Sequence, residues 1–323
     1  MMSDAASHTE RARLGMESLR RVPGVAVMLA VMVVFFSILS PGFVRPQNIS
    51  NVLLQSVVLL LIALPMTLII MTEGIDLSMG AMLTLVTIVY ALAVLSTGSF
   101  VLALAITLMT GLLLGLVNGA LIAVVGMPPF VVTLGTLGVW QGLSLILSEG
   151  QSVVGLPREI QFVYSGTILG IPVPMIVAGL CYGLIHWLLY HTRFGICVPA
   201  LGGNREALRQ AGVNDRGAIV SVYVLGGAFV AIAAPVFCAR INAAHPTAAI
   251  GMEFDAIAAV AVGGTQFERG NGWLFGTLLG VLAIGVLRNG LNLLAVPSSV
   301  QVACVGLLVI LSLFVDTLRS RTK

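Results

Sequence analysis

Ten apolar stretches follow one another along the chain, at 22–39, 52–71, 80–95, 101–125, 130–148, 173–191, 218–239, 254–266, 273–294 and 299–316. Crossing a bilayer takes about 20 apolar residues in a helix. Inside lipid a span must also satisfy its own backbone hydrogen bonds, which helices do segment by segment. The pattern therefore predicts an all-α polytopic membrane protein with about ten transmembrane helices. The eighth stretch is too short to cross alone as a regular helix, so some of the helices are broken or short. Asp, Glu, Lys and Arg make up only 9% of the chain, against about a quarter in soluble domains. A soluble enzyme is excluded, and little length is left for an extramembrane domain.

The charges that remain are informative by position. Arg11, Arg13, Arg20 and Arg21 precede the first stretch, Arg193, Arg205, Arg209 and Arg216 fall in the 192–217 loop, and Arg319, Arg321 and Lys323 close the chain. Cytoplasmic loops carry the excess of Lys and Arg, so all three clusters are expected in the cytoplasm. Six stretches separate the first two clusters and four separate the last two. Both numbers are even, as ten spans with both termini cytoplasmic require. The expected organisation is a tail over 1–21, one transmembrane domain over 22–318 and a tail over 319–323. The loop at 149–172 falls outside. The first stretch is longer than the 7 to 15 residues of a signal-peptide core and lacks a small-x-small cleavage site after it, so it reads as a retained span.

Lys323 is the single lysine. A phosphate-cradling loop needs Lys directly after its glycines, so the chain is no P-loop ATPase. A net charge of +3 with arginines gathered at membrane ends gives no sign of nucleic-acid binding. Cys181, Cys197, Cys238 and Cys304 form no CxxC pair, and His186 and His191 are five apart, so neither a metal site nor a disulfide framework is expected. No nucleophile, base or metal-ligand spacing marks a catalytic centre. Trp140, Trp187 and Trp273, near predicted span ends, read as interface anchors.

Two halves of the chain share a loose pattern. Gly111, Gly115 and Gly119 are four apart, as are Gly272, Gly276 and Gly280. Such ridges let helix backbones approach closely. In each half an Asn-Gly pair, Asn118-Gly119 or Asn289-Gly290, precedes a proline, and an acidic segment lies upstream. A two-fold internal repeat would produce this pattern, and so would the general abundance of glycine in membrane helices.

Ionisable residues within spans are costly and usually face a protein interior. TEGIDLSMG at 72–80 is the first candidate. Glu73 and Asp76 share a face if the segment is helical, whereas Gly74 and Gly80 favour an unwound stretch in which Asp76 or Ser78 caps the following helix. Glu253 and Asp255 form a second acidic pair. Both segments fit a polar path or hinge, and both fit turns at the membrane surface. In the 192–217 loop, Asn204 is a good N-cap, Arg205 to Ala211 favour helix, and Gly212 suits its end. The result is a two-turn helix flanked by glycines, suited either to docking on a partner or to anchoring the loop.

The segments TEGIDLSMG (72–80), VNGALIAVVGMPPFVVTLGTLG (117–138), TRFGICVPALGGNREALRQAGV (192–213), FDAIAAVAVGGTQ (254–266), GTLLGVLAIGVLRNGLNLL (276–294) and VDTLRS (315–320) resemble, in that order, the ribose-type permeases of bacterial ABC sugar importers. The resemblance covers about residues 30–320. It implies a permease subunit in the bacterial inner membrane that works as a pair, identical or related, within the lipid bilayer. It further implies a cytoplasmic ABC ATPase that uses ATP-Mg, a periplasmic binding protein that delivers the sugar, and no cofactor on this chain. Gly202, Gly203, Asn204, Arg205, Glu206, Ala207, Leu208 and Arg209 look like the element that docks on the ATPase. Glu73, Gly74, Asp76, Ser78, Asn118, Glu253, Asp255, Arg288 and Asn289 are the candidate path or hinge residues. The chain departs from the family at Gln266 to Arg269, where small residues are typical, and at Arg288. The wider superfamily includes permeases for branched-chain amino acids, nucleosides and furanosyl signal molecules, and the GGNREA stretch favours the sugar branch. An ion-coupled secondary transporter using Glu73 and Asp76 is the rival from another class, and a channel is a third reading.

Overall fold

The computed structural model describes residues 24–266 and 270–321, the side chains at 312–313 and 315–321 excepted. The expected N-terminal tail, Lys323 and the departure at Phe267 to Arg269 lie outside the described residues. Among the described residues each of the ten apolar stretches overlaps a helix, the eighth only as far as Val262. Among the described residues seven helices are long and apolar enough to cross a membrane: α2 (Pro46–Met71), α3 (Met79–Thr97), α4 with its extension (Phe100–Val125), α5 (Pro129–Leu147), α7 (Val173–His191), α10 (Asp215–Ile241) and α12 (Leu274–Leu293). The shorter α1 (Gly24–Leu39), the four-residue α6 (Phe162–Ser165), α8 (Arg193–Gly203), α9 (Arg205–Gln210), α11 (Met252–Val262) and α13 (Ser298–Arg321) complete the series. The 11-residue α11 rises only about 16 Å, in keeping with the short eighth stretch.

The chain divides into two compact units, one made of 53–257 with 266–272 and the other of the segments up to 52, 258–265 and 273–323. In the first unit α3, apolar all round, is buried along nearly its whole length, as expected of a helix without a polar face. Its neighbour α4 buries a single stripe: Ala103, Thr107, Gly111, Leu114, Gly115, Asn118 and Gly119. The opposite face exposes Leu102, Met109, Leu113 and Leu116, apolar side chains suited to lipid. Side chains three and four apart share a helix face, and here the buried stripe is marked by small and polar residues. The same holds for α5, which buries Val132, Thr133, Thr136, Trp140 and Ser144.

The glycines of α4 meet α10. A Cβ on Gly111 would strike the Gly227 carbonyl, one on Gly115 the Tyr223 carbonyl, and one on Gly119 the backbone of Val220. Past Ala120 the helix loosens into a π-helical turn, Leu121–Val125, that ends at Gly126 with φ +86°. Pro129 then opens α5, where its missing N–H costs nothing. In the 149–172 loop, strands β1 (Thr167–Ile168) and β2 (Ile171–Pro172) form a ribbon closed by Leu169 and Gly170, both at positive φ, the geometry of a type I′ turn.

In the second unit α12 packs on the end of α11. A Cβ on Gly276 would strike the Gly263 carbonyl, and one on Gly280 the Ala259 carbonyl. Gly272, expected on this ridge, precedes the helix, which begins at Leu274. Trp140 and Trp273 also depart from expectation: both are buried, and Trp187 alone of the three is well exposed.

Candidate functional site

Helix α2 ends in a left-handed cap. Glu73 N–H donates to Ile70 O at 3.0 Å and Gly74 N–H to Ile69 O at 3.0 Å, the Schellman pattern. Glu73 occupies the position usually given to glycine, with φ +61°. The segment from Glu73 to Ser78 is not helical, so of the two readings the unwound stretch is the one found and Glu73 and Asp76 share no helical face. The chain turns between them, leaving Glu73 exposed and Asp76 2% exposed.

Asp76 organises the start of α3. Its Oδ1 accepts from the Ser78 N–H at 2.8 Å and from the Ser78 hydroxyl at 2.6 Å. Asn118, on the buried stripe of α4, donates from Nδ2 to the Ser78 oxygen at 2.8 Å and reaches Asp76 Oδ2 at 3.4 Å. Thr133 of α5 donates to the Ile75 carbonyl at 3.0 Å. The side chain of Tyr223, from α10, closes the group: a Cβ on Gly74 would collide with its hydroxyl. Three helices, α4, α5 and α10, thus converge on the uncoiled segment between α2 and α3. Glu253 lies one turn further along α3, its carboxylate accepting from Gly251 N–H at 3.1 Å. A Cβ on Gly80 would run into that carboxylate. Glu253 and Asp255 are buried in the first turn of α11, where the positive end of the helix dipole favours acids.

The 192–217 segment carries more helix than expected. Arg193–Gly203 forms α8, with Pro199 inside it, so the glycines at 202–203 end a helix instead of flanking a loop. The reason is packing: a Cβ on Gly202 would strike the Met71 carbonyl at the end of α2, and this contact outweighs the weak helix propensity of Pro and Gly. Asn204 then caps α9, its Oδ1 accepting from Ala207 N–H at 2.9 Å. Gly212, at φ +76°, closes α9 with bonds from Gly212 N–H to Arg209 O and Val213 N–H to Leu208 O. Arg205, Glu206, Ala207 and Arg209 are exposed and Leu208 is buried.

Arg205 Nε donates to Asp215 Oδ2 at 2.7 Å, and Arg209 Nε lies 3.9 Å from the same oxygen. Asp215 is the first residue of α10, so this ion pair ties α9 to α10. A cleft beside it is lined by Thr72, Glu73, Leu201, Gly203, Arg205 and Ile219. A larger groove of about 620 Å³ runs on past Arg209, Tyr223 and the Gly126–Pro129 turn. The exposed helix α9 and the uncoiled segment 72–78 therefore share one cleft.

Asn289 stands apart from this group. In its own unit it exchanges two amide hydrogen bonds with Asn48, at 2.9 and 3.0 Å, while Gly290 packs against the Phe36 ring. Arg288, beside it, is half-buried. The sequence reading missed Asn48, Asp215 and Tyr223. Asn214-Asp215 opening a helix was a signal for the second, and a lone Tyr hydroxyl in an apolar run, which needs a partner when buried, was one for the third.

Residues 48–313 match the family model described as branched-chain amino acid transport system / permease component. The ribose import permease protein of Bacillus subtilis (strain 168) is 39% identical over 97% of this chain and 98% of its own length. The D-allose transport system permease protein of Escherichia coli (strain K12) is 36% identical over 92% of each. The L-arabinose ABC transporter permease protein of Azospirillum brasilense is 31% identical over 99% of this chain and 94% of its own length. No solved structure gives a match.

Proposed function

This chain belongs to the branched-chain amino acid transport system / permease component family, and on that premise we propose that it is the membrane permease subunit of an ATP-binding-cassette importer for a monosaccharide. The observation that carries the sugar reading is the end-to-end similarity to permeases named for ribose, allose and arabinose. The subunit performs no covalent chemistry. ATP is used by a separate cytoplasmic ATPase, and a periplasmic binding protein delivers the sugar to a pair of permease chains in the inner membrane.

In this reading both termini and the 192–217 segment face the cytoplasm, as the arginine clusters favour. Helix α9 docks on the ATPase. Its rigid caps and the Asp215 ion pair let a push on α9 pass to α10, and the contact of Gly202 with Met71 passes it to the hinge at 72–78. Alternating access follows when that hinge tilts α2 against α3. Selectivity resides mainly in the binding protein, because the spans offer few convergent polar groups.

The test is uptake of labelled ribose, allose and arabinose into vesicles containing the permease, its ATPase and its binding protein. Accumulation that stops on ATP depletion and survives loss of the membrane potential is expected. The reverse pattern would identify an ion-coupled transporter, and equilibration without accumulation would identify a channel. The double variant Arg205→Glu, Glu206→Arg is expected to insert normally and to lose uptake; undiminished uptake would remove α9 from the coupling path.

A further inference from the structure

Asp76 uses its two oxygens unequally. Oδ1 takes both short bonds from Ser78, whereas Oδ2 has only the 3.4 Å contact from Asn118. No cationic side chain hydrogen-bonds to this carboxylate among the described residues. Two further oxygens lack partners among those residues, on side chains that meet the same segment: the Asn118 side-chain oxygen, whose amide nitrogen bonds Ser78, and the Tyr223 hydroxyl, which lies against Gly74, on residues 0% and 2% exposed. The orientation of the Asn118 amide follows from the chemistry. Ser78 spends its hydroxyl proton on Asp76, so it can only accept from Asn118, which turns the amide nitrogen inward and leaves the oxygen free.

An uncompensated carboxylate and two unsatisfied polar oxygens in an apolar bundle are each expensive, and together they describe a ligand set. We propose that the break between α2 and α3 binds a small monovalent cation, held by Asp76 Oδ2, the Asn118 side-chain oxygen and the Tyr223 hydroxyl oxygen. All three are hard donors suited to an alkali ion. One carboxylate with neutral oxygens balances a single positive charge, whereas divalent ions draw on several carboxylates or on water. Among the described residues no group of three His, Cys, Asp or Glu could hold a metal. A helix break also frees backbone carbonyls, the usual remaining ligands of Na⁺ in membrane proteins. The cation would lock the uncoiled segment to α4 and α10, on residues 42 and more positions apart. The sequence reading expected no metal because it searched for His and Cys spacing, to which such a site is silent. The inference concerns binding and stands whether or not the chain imports a sugar.

The test uses the full-length permease purified in detergent and exchanged into choline chloride, with melting followed by the fluorescence of its three tryptophans. NaCl or KCl replaces choline chloride at constant ionic strength. The expected result is a midpoint that rises saturably with one alkali cation and not with choline, as for any ligand of the native state. Tyr223→Phe keeps the ring and removes one ligand, so it should melt near wild type in choline and bind the cation about tenfold more weakly. Asp76→Asn should abolish the response. Equal midpoints in all three salts would overturn the proposal and leave the gap to water. A midpoint that rises on acidification without any cation dependence would overturn it in favour of a protonated Asp76. An undiminished response in Tyr223→Phe would remove the site from this place.

Discussion

Glu73 holds a left-handed backbone that costs a non-glycine residue about 1–2 kcal/mol, at a helix end where glycine is the usual occupant. Such strain clusters at switch regions, which is what the proposed hinge requires. Glu73→Gly should therefore raise the melting midpoint by relieving roughly 1 kcal/mol and at the same time reduce uptake, measured on one preparation. Asn204 is a simpler case. Losing its cap costs about 1 kcal/mol, so Asn204→Ala should speed amide exchange across 205–210 and weaken coupling. Asp215→Asn breaks the tie between α9 and α10. Since both arginines are about half exposed, global stability should change by less than about 1 kcal/mol, while uptake falls. Asn204 was legible as a cap because capping is local. The role of Asp215 was not, because an acid opening a helix is accounted for by the dipole alone and its arginines lie six and ten residues away.

Helices in lipid present apolar side chains inward and outward alike, so hydropathy does not show which face of α4 is buried. Small residues four apart do, because they are where backbones come close. Gly111→Ala and Gly115→Ala should each cost about 1–3 kcal/mol, since the added methyl must displace the α10 backbone. Gly138→Ala on α5, with open space around it, should instead gain up to about 1 kcal/mol from lower chain entropy. Melting midpoints of the three variants decide the matter. The spacing rule had a limit at Gly272, which keeps the four-residue period but lies ahead of α12. The α8 helix was hidden for the opposite reason: Pro199 and two terminal glycines argue against helix locally, and burial of Gly195, Val198, Leu201 and Gly202, the last against the end of α2, overrides them.

At the scale of the molecule the arginine clusters make a claim that labelling can test. In a cysteine-free background, Gln210→Cys on α9 should react with an impermeant thiol reagent only from the cytoplasmic side. Leu169→Cys, at the ribbon tip where Leu169 is 98% exposed, should react only from the opposite side. Labelling of both from one side would break the expected topology. That this is a helical membrane protein was determined by the sequence alone, because the cost of burying backbone and charge in lipid is paid segment by segment and needs no knowledge of neighbours. Only the tertiary structure decided which oxygens meet. Asn118 and Tyr223 meet the uncoiled segment that carries Asp76 through the rotation of α4 and α10 about their axes, and nothing in an all-apolar helix specifies that rotation until its small and polar residues have found their partners.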